Sequence, residues 1–197
     1  MIKQLKMLLV GPGFGHNIKG VLNSFKSCDL WDVTFLATKI DPDFIVEFPN
    51  IKFIPYDCKI YTNHPFRTLK NMWKLAVYAR FKERYDVIYN LGLGGIMHAP
   101  LYFFARKKTV LAFEIWSNSI LDSAYRHASI FDKADAYILR KTDLVCQCWW
   151  GIKEKFVRFF PQYESKWVMY QLSYPDIYFL EEKHIPESQF VKDFISR

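Results

Sequence analysis

The sequence has 197 residues and a formal net charge of +7; 51% of its residues are apolar and 18% aromatic. That length and apolar content suit one large domain with a real core, and apolar runs such as LKMLLV, VTFLA and TVLAF stay far short of the roughly 20 residues that cross a bilayer. The positive charge points to an anionic partner, while the lack of zinc-finger spacing, an RNP-type aromatic signature or a lysine- and arginine-rich arm argues against nucleic acid.

The first apolar run, residues 5–10, reads as a strand because it enters GPGFGHN, residues 11–17, without the small-residue cleavage site of a secretory signal. A helix is expected over 17–27 and a second strand over 31–37. A dinucleotide fingerprint needs GxGxxG and an acid ending the second strand. Here the glycines are Gly11, Gly13 and Gly15, followed by His16, and the strand ends in Ala37-Thr38-Lys39 with Asp41 beyond it. This argues against NAD or FAD; a P-loop, which needs GxxxxGK[ST], is absent, and a phosphoacceptor receiver domain, which needs clustered carboxylates where Gly-Pro-Gly stands, is excluded. Two readings of the loop remain. Gly13, Phe14, Gly15 and His16 either turn backbone N–H groups and a helix N-terminus toward an anionic ligand, or form a structural turn with nothing bound.

A third strand is expected over 51–56 and a helix over 65–83, opened by Pro65 and carrying Leu69, Met72, Trp73, Ala76 and Val77 at three- and four-residue spacing. Arg67, Lys70 and Lys74 fall on another stripe of that helix, as a solvated face or as an anion contact that would rest on anionic lipid beside Phe66 and Trp73. Further strands are expected over 86–90, 108–114, 143–147 and 166–172, and further helices over 95–106, 119–139 and 150–160. This alternation is the pattern of an α/β fold, a parallel sheet with helices on both faces.

Ligands of such sheets meet the carboxyl ends of the strands. The side chains expected there come from residues 13–17, from Asn90 to Gly95 with His98 one helical turn on, from Glu114 to Asn118, and from Gln147 to Trp150. Glu114 follows an apolar strand directly, so its carboxylate is either catalytic or held by a neighbouring hydrogen-bond donor. His98 either functions or packs at a helix start, and Trp116 either stacks on a sugar or base or belongs to the core. The four cysteines, Cys28, Cys58, Cys146 and Cys148, form no CxxC pair and no zinc spacing, which fits a reducing cytoplasm; Cys146 and Cys148 are expected to serve as small apolar side chains of one strand face.

Taken in order, these pieces resemble the N-terminal domain of GT-B glycosyltransferases, particularly the glycogen-synthase-like family 4 class. KMLLVGPGFGHN resembles its first strand and glycine-rich loop, YDVIYNLGLGG and TVLAFEIW two later strands with their loops, TDLVCQCWWGIKEKF a strand and helix, and KWVMYQLSYPDIYF the element leading to a second domain. Glu114 stands where the family often has histidine, Ser173-Tyr174-Pro175-Asp176 replaces Asn-Gly-Val-Asp, and the Glu-x7-Glu motif of the family's second domain does not occur.

The resemblance implies a Rossmann-like half of a GT-B fold over 1–180, with 181–197 starting a connection toward a further domain. It implies an acceptor-side domain, inactive alone, of a cytoplasmic enzyme of polysaccharide or glycolipid assembly, peripheral at the inner membrane face. The partners would be a nucleotide-sugar donor and a glycan or lipid-linked acceptor, with no cofactor or metal. Gly13, Phe14, Gly15 and His16 would meet the donor phosphates, Asn17, Asn90, Gly94, His98, Trp116 and Asn118 would line the acceptor cleft, and Glu114 would be catalytic. The alternative is a non-catalytic Rossmann-like binding or interaction module.

Overall fold

In β1 (Leu5–Gly13), Met7 and Leu9 pack into one apolar cluster and Leu8 and Val10 into another, all four buried. A strand covered on both faces requires helices on both sides of its sheet. The computed structural model, which describes residues 4–26, 29–57, 61, 63–92, 95–115, 130–147 and 150–169, has that form. β1 is joined by β2 (Trp31–Ile40), β3 (Ile51–Pro55), β4 (Val87–Leu91), β5 (Val110–Glu114), β6 (Leu144–Gln147) and β7 (Trp167–Met169). The sheet is parallel throughout, in the order β3-β2-β1-β4-β5-β6-β7, and each expected strand is present. This is a Rossmann-like α/β fold.

One face is covered by α1 (His16–Lys26), which buries Ile18, Val21 and Leu22, and by α2 (Pro42–Glu47), which buries Phe44. The other face carries α3 (Pro65–Val77) with a π turn at Tyr78–Lys82, α4 (Ala99–Phe104), α5 (Ile130–Lys141) and α6 (Trp150–Phe159). Leu75, Ala79, Leu101, Tyr102, Ile138 and Phe156 anchor these elements in the second cluster. A 3-10 turn at Pro161–Lys166 leads into β7.

Several elements differ from the sequence expectation for local reasons. β1 continues through Gly11 to Gly13, because those glycines allow closer strand contact than a Cβ would. β2 continues to Ile40, so Asp41 directly follows the strand; its carboxylate accepts from the Asp43 N–H at 3.1 Å and caps α2, with Pro42 at the first helical position. The helix expected over 95–106 begins only at Ala99, after a turn that holds Gly95 at φ 77°, and ends where Ala105 adopts an extended ψ of 146°. The helix expected over 65–83 changes from α to π hydrogen bonding at Tyr78. Residues 116–129 and 170–197 lie outside the described residues, and with them the expected connection over 181–197.

The sheet order places the crevice. From β1 the chain builds outward to β2 and β3 on one side and to β4 and the later strands on the other, so the carboxyl ends of β1 and β4 flank the topological switch point where such sheets take ligands. Val10 pairs with Asn90 at that point.

Candidate functional site

The three glycines after the first apolar run have different tasks. A Cβ on Gly11 would stand 2.7 Å from the Leu91 Cβ, and one on Gly13 would stand 2.4 Å from the Lys39 carbonyl oxygen. These two glycines let β1 lie against β4 and β2. The Gly13 carbonyl also accepts from the Asp41 N–H at 2.8 Å, where the β1–β2 register shifts. Gly15 differs: its φ is +96° and a Cβ there would meet nothing within 4 Å. Its carbonyl accepts the Lys19 N–H at 3.1 Å, so Gly15 is the turn residue that starts α1, and His16 and Asn17 form the first residues of that helix. Phe14 is 47% exposed, and the Lys39 ammonium lies 5.5 Å from its ring centroid. Lys39, noted in the sequence only as the residue that ends β2 without an acid, is thereby an exposed cation beside the loop.

On the α3/α4 side of the edge, Asn90 and His98 are both buried. The Asn90 side-chain amide donates to the Tyr102 hydroxyl at 3.2 Å, and His98 Nε2 is hydrogen-bonded to the Tyr56 hydroxyl. Tyr56 follows β3, and its N–H donates to the Ala37 carbonyl of β2, so the Tyr56–His98 contact spans from the β2 edge to the segment leaving β4. The Gly95 N–H donates to the Asp135 carboxylate of α5, fixing the same segment from the other side. Tyr56 and Asp135 give no sequence signal of their own, because neither belongs to a motif and both reach the site by long-range packing. Burial pushes the Tyr102 hydroxyl pKa upward, so this phenol stays protonated as a hydrogen-bonding group.

Glu114 ends β5 on the opposite face. It pairs with Leu91 of β4 and Cys146 of β6, is 1% exposed, and accepts from the Tyr89 hydroxyl at 3.0 Å. The sheet edge therefore separates the candidates: Asn90 and His98 lie with α4, while Glu114 lies with Tyr89 on the α1 side. Cys146 is buried, and burial, aided by the neighbouring Glu114 charge, pushes its thiol pKa up. An inert, packed thiol results, as the strand-face reading of Cys146 expects. Gly94, Trp116, Asn118 and Cys148 lie outside the described residues.

The basic stripe on α3 is partly engaged. Arg67 pairs with Asp57 at 3.3 Å and covers the Tyr61 ring at 4.1 Å from its centroid, and the Lys74 ammonium donates to the Pro55 carbonyl. Burial, with the Lys70 charge, lowers the Lys74 pKa. These contacts of Arg67 and Lys74 clamp the β3–α3 connection, while Lys70 is exposed. Among the described residues no group of three histidine, cysteine, aspartate or glutamate side chains could hold a metal, and no helix is long and apolar enough to cross a membrane.

No protein-family model matches the sequence, and no curated protein sequence matches it. Solved structures do share its fold. MurG of Acinetobacter baumannii superposes on 93% of the chain with a TM-score of 0.53 at 17% identity. Alr3699/HepE of Anabaena in complex with UDP-glucose superposes on 86% with a TM-score of 0.55 at 13% identity, and its complex with UDP and glucose on 86% with 0.53 at 14%. The chain spans less than half of these proteins, 47% of MurG and 44% and 45% of the two HepE chains. At such identities the likeness is one of fold: the chain has a GT-B-like, Rossmann-type α/β architecture.

Proposed function

We propose that this chain is the N-terminal, acceptor-side half of a glycosyltransferase that moves a sugar from a nucleotide sugar to a glycan or glycolipid acceptor. The observation that carries the reading is the placement of the open Gly15 turn and Lys39 at the carboxyl ends of β1 and β2, beside the β1/β4 switch point, in a fold shared with a protein whose structures hold UDP-glucose or UDP and glucose. In this reading the N–H groups at the start of α1 and the Lys39 ammonium face the donor diphosphate, whose charge both would stabilise. Phe14 borders the sugar and acceptor, and the buried Asn90 and His98 hold in place the segment that leaves β4. A second domain closes the cleft and supplies most of the donor contacts.

Glu114 is the carboxylate assigned to the reaction. In an inverting transfer it would take the acceptor hydroxyl proton, with Tyr89 holding its orientation. In a retaining transfer the leaving phosphate would accept that proton, and Glu114 would orient hydroxyl groups. The protein would act in the cytoplasm.

The test is hydrogen exchange of the chain with UDP-glucose at millimolar concentration. Weak binding that protects the Gly11–Lys19 segment supports the reading. Binding in the micromolar range by this chain alone would contradict a shared donor site, and no protection at saturation would leave the non-catalytic module as the better description.

A further inference from the structure

A concave site lies at the amino end of the sheet. A cavity of about 560 Å³, within the roughly 300–1,000 Å³ range of small-molecule sites, opens at the amino ends of β4 and β5, and Arg80, Arg84, Arg106, Lys107 and Lys108 line it. Its backbone is fixed by contacts of its own. The Thr109 N–H donates to the Arg106 carbonyl at 3.0 Å, closing the turn that carries Lys107 and Lys108, and Thr109 Oγ1 donates to the Tyr85 carbonyl at 2.9 Å. The Arg106 guanidinium donates to the Arg80 carbonyl at 2.8 and 3.1 Å, which joins that turn to the π turn at Tyr78–Lys82. The Val110 N–H donates to the Asp86 carbonyl at 2.9 Å and completes the frame. A frame formed in advance lowers the cost of ordering a site on binding, and π turns recur at functional sites.

Charge decides what the cavity takes. Asp86 is the single acid among the lining residues, and its carboxylate accepts the Lys6 N–H at 2.9 Å. Among the described residues none of the five cations forms an ion pair with a carboxylate, and Arg80, Arg84, Lys107 and Lys108 are exposed. Cations gathered on one concavity repel one another, and an anion bearing several charges relieves more of that repulsion than one bearing a single charge. Guanidinium groups hold phosphoryl oxygens in bidentate pairs, while the lysine ammonium groups add point charges on flexible stems. A phosphodiester offers one charge to such a set; linked phosphoryl groups offer several within one cavity. We propose that the amino-edge cavity binds the phosphate chain of a soluble polyphosphate, two or three linked phosphoryl groups held by Arg80, Arg84, Arg106, Lys107 and Lys108. The site lies at the opposite end of the strands from the Gly15 turn and Lys39, so it is separate from the donor contacts proposed there and independent of that reading.

Calorimetric titration of the chain with inorganic tripolyphosphate in metal-free buffer, read together with hydrogen exchange, tests it. Binding is expected to protect residues 80–86 and 106–109 and to be at least about tenfold tighter than that of orthophosphate, the scale of one further charge-assisted contact. The variant R84Q/K107Q/K108Q should lose at least about tenfold in affinity without a lower thermal melt, because its three side chains are exposed and have no carboxylate partner among the described residues. An equal charge change at exposed positions of α5 and α6, K133Q/K141Q/R158Q, should leave affinity within about twofold, since salt screens distant surface charges. Equal losses in the two variants would reduce the binding to the general attraction of a +7 chain and overturn the site. So would orthophosphate bound as tightly as tripolyphosphate, or protection of residues 11–19 in place of 80–86 and 106–109. Binding to phosphatidylglycerol vesicles that R84Q/K107Q/K108Q abolishes, with no binding of tripolyphosphate, would assign these cations to a lipid phosphate and likewise overturn the proposal.

Discussion

The Tyr89 hydroxyl donates to Glu114 at 3.0 Å across the carboxyl ends of β4 and β5, while the next residue, Asn90, turns to the opposite face and donates to Tyr102 at 3.2 Å. Alternation along a strand sends successive side chains to opposite faces, so a shift of one residue in β4 would exchange these partners. Substituting Glu114→Gln keeps an acceptor for Tyr89 but removes the charge. In an enzyme containing both halves, turnover is expected to fall at least about tenfold, the scale of one charge-assisted contact, with little change in melting temperature. Tyr89→Phe should lower turnover less while leaving the carboxylate in place. Unchanged turnover in a folded Glu114→Gln protein would make the Tyr89–Glu114 pair a packing device, and the search would move to His16 and His98.

The strands were legible because burial on both faces writes continuous apolar runs such as LKMLLV and VTFLA into the sequence. α2 was missed although Asp41-Pro42-Asp43 carries a cap and a first-turn proline, since six residues are too few to display helical periodicity. Of the candidate site, the sheet edge could be read from strand ends, but which face each side chain takes could not. Glu114 and His98 look equivalent as polar residues after apolar strands, yet only the register and the helix layers assign one to Tyr89 and the other to Tyr56. The engagement of Arg67 and Lys74 was equally hidden, because their partners Asp57 and Pro55 come from the chain before the helix.

Gly13 and Gly15 should respond differently to alanine. At Gly13 the new Cβ would meet backbone of β2 at 2.4 Å, which no side-chain rotation relieves, so Gly13→Ala is expected to destabilise the chain by about 2 kcal/mol or more. At Gly15 the space is open and only the positive φ is penalised, about 1 kcal/mol. Urea unfolding of the two variants measures the difference. A larger loss at Gly15 would mean that the turn, and not strand contact, limits the stability of this edge.

Acid should act on the Lys6–Glu83 contact. The Glu83 carboxylate accepts from the Lys6 ammonium at 2.8 Å, and that hydrogen bond, opposed by partial burial and aided by the Lys6 and Lys52 charges, holds its pKa below the ordinary value of 4.5. A depressed folded pKa gives stability that is present above the unfolded pKa and is lost as pH falls through the folded one. Wild type should therefore lose more stability than Glu83→Gln on acidification below 4.5. The effect should be modest, because both side chains remain partly exposed. Parallel acid profiles for the two proteins would remove Glu83 from the acid response.

The Tyr56–His98 contact offers a test of how the edge is held. Both residues are buried, and the bond joins the end of β3 to the turn before α4. A double-mutant cycle with Tyr56→Phe and His98→Ala should give a coupling of about 1 kcal/mol, typical of a buried hydrogen bond. Additive losses would show that the two residues contribute separately.

Lys39 separates the two sources of donor affinity in the proposed reaction. Its ammonium borders Phe14 at the open side of the Gly15 turn, where a diphosphate would approach α1. Lys39→Gln keeps a polar side chain but removes the charge, so UDP affinity is expected to fall about tenfold, the scale of one hydrogen bond to a charged group. Uridine, which has no phosphate, should bind both proteins alike, and Lys39→Arg should retain most of the UDP affinity. Lys70→Gln, on exposed α3, lowers the net charge equally and should leave UDP binding unchanged. The two neutralising changes together distinguish a local contact from the general attraction of a +7 protein for an anion. If Lys39→Gln binds UDP as tightly as wild type, the diphosphate is held elsewhere and the glycine turn serves only to start α1.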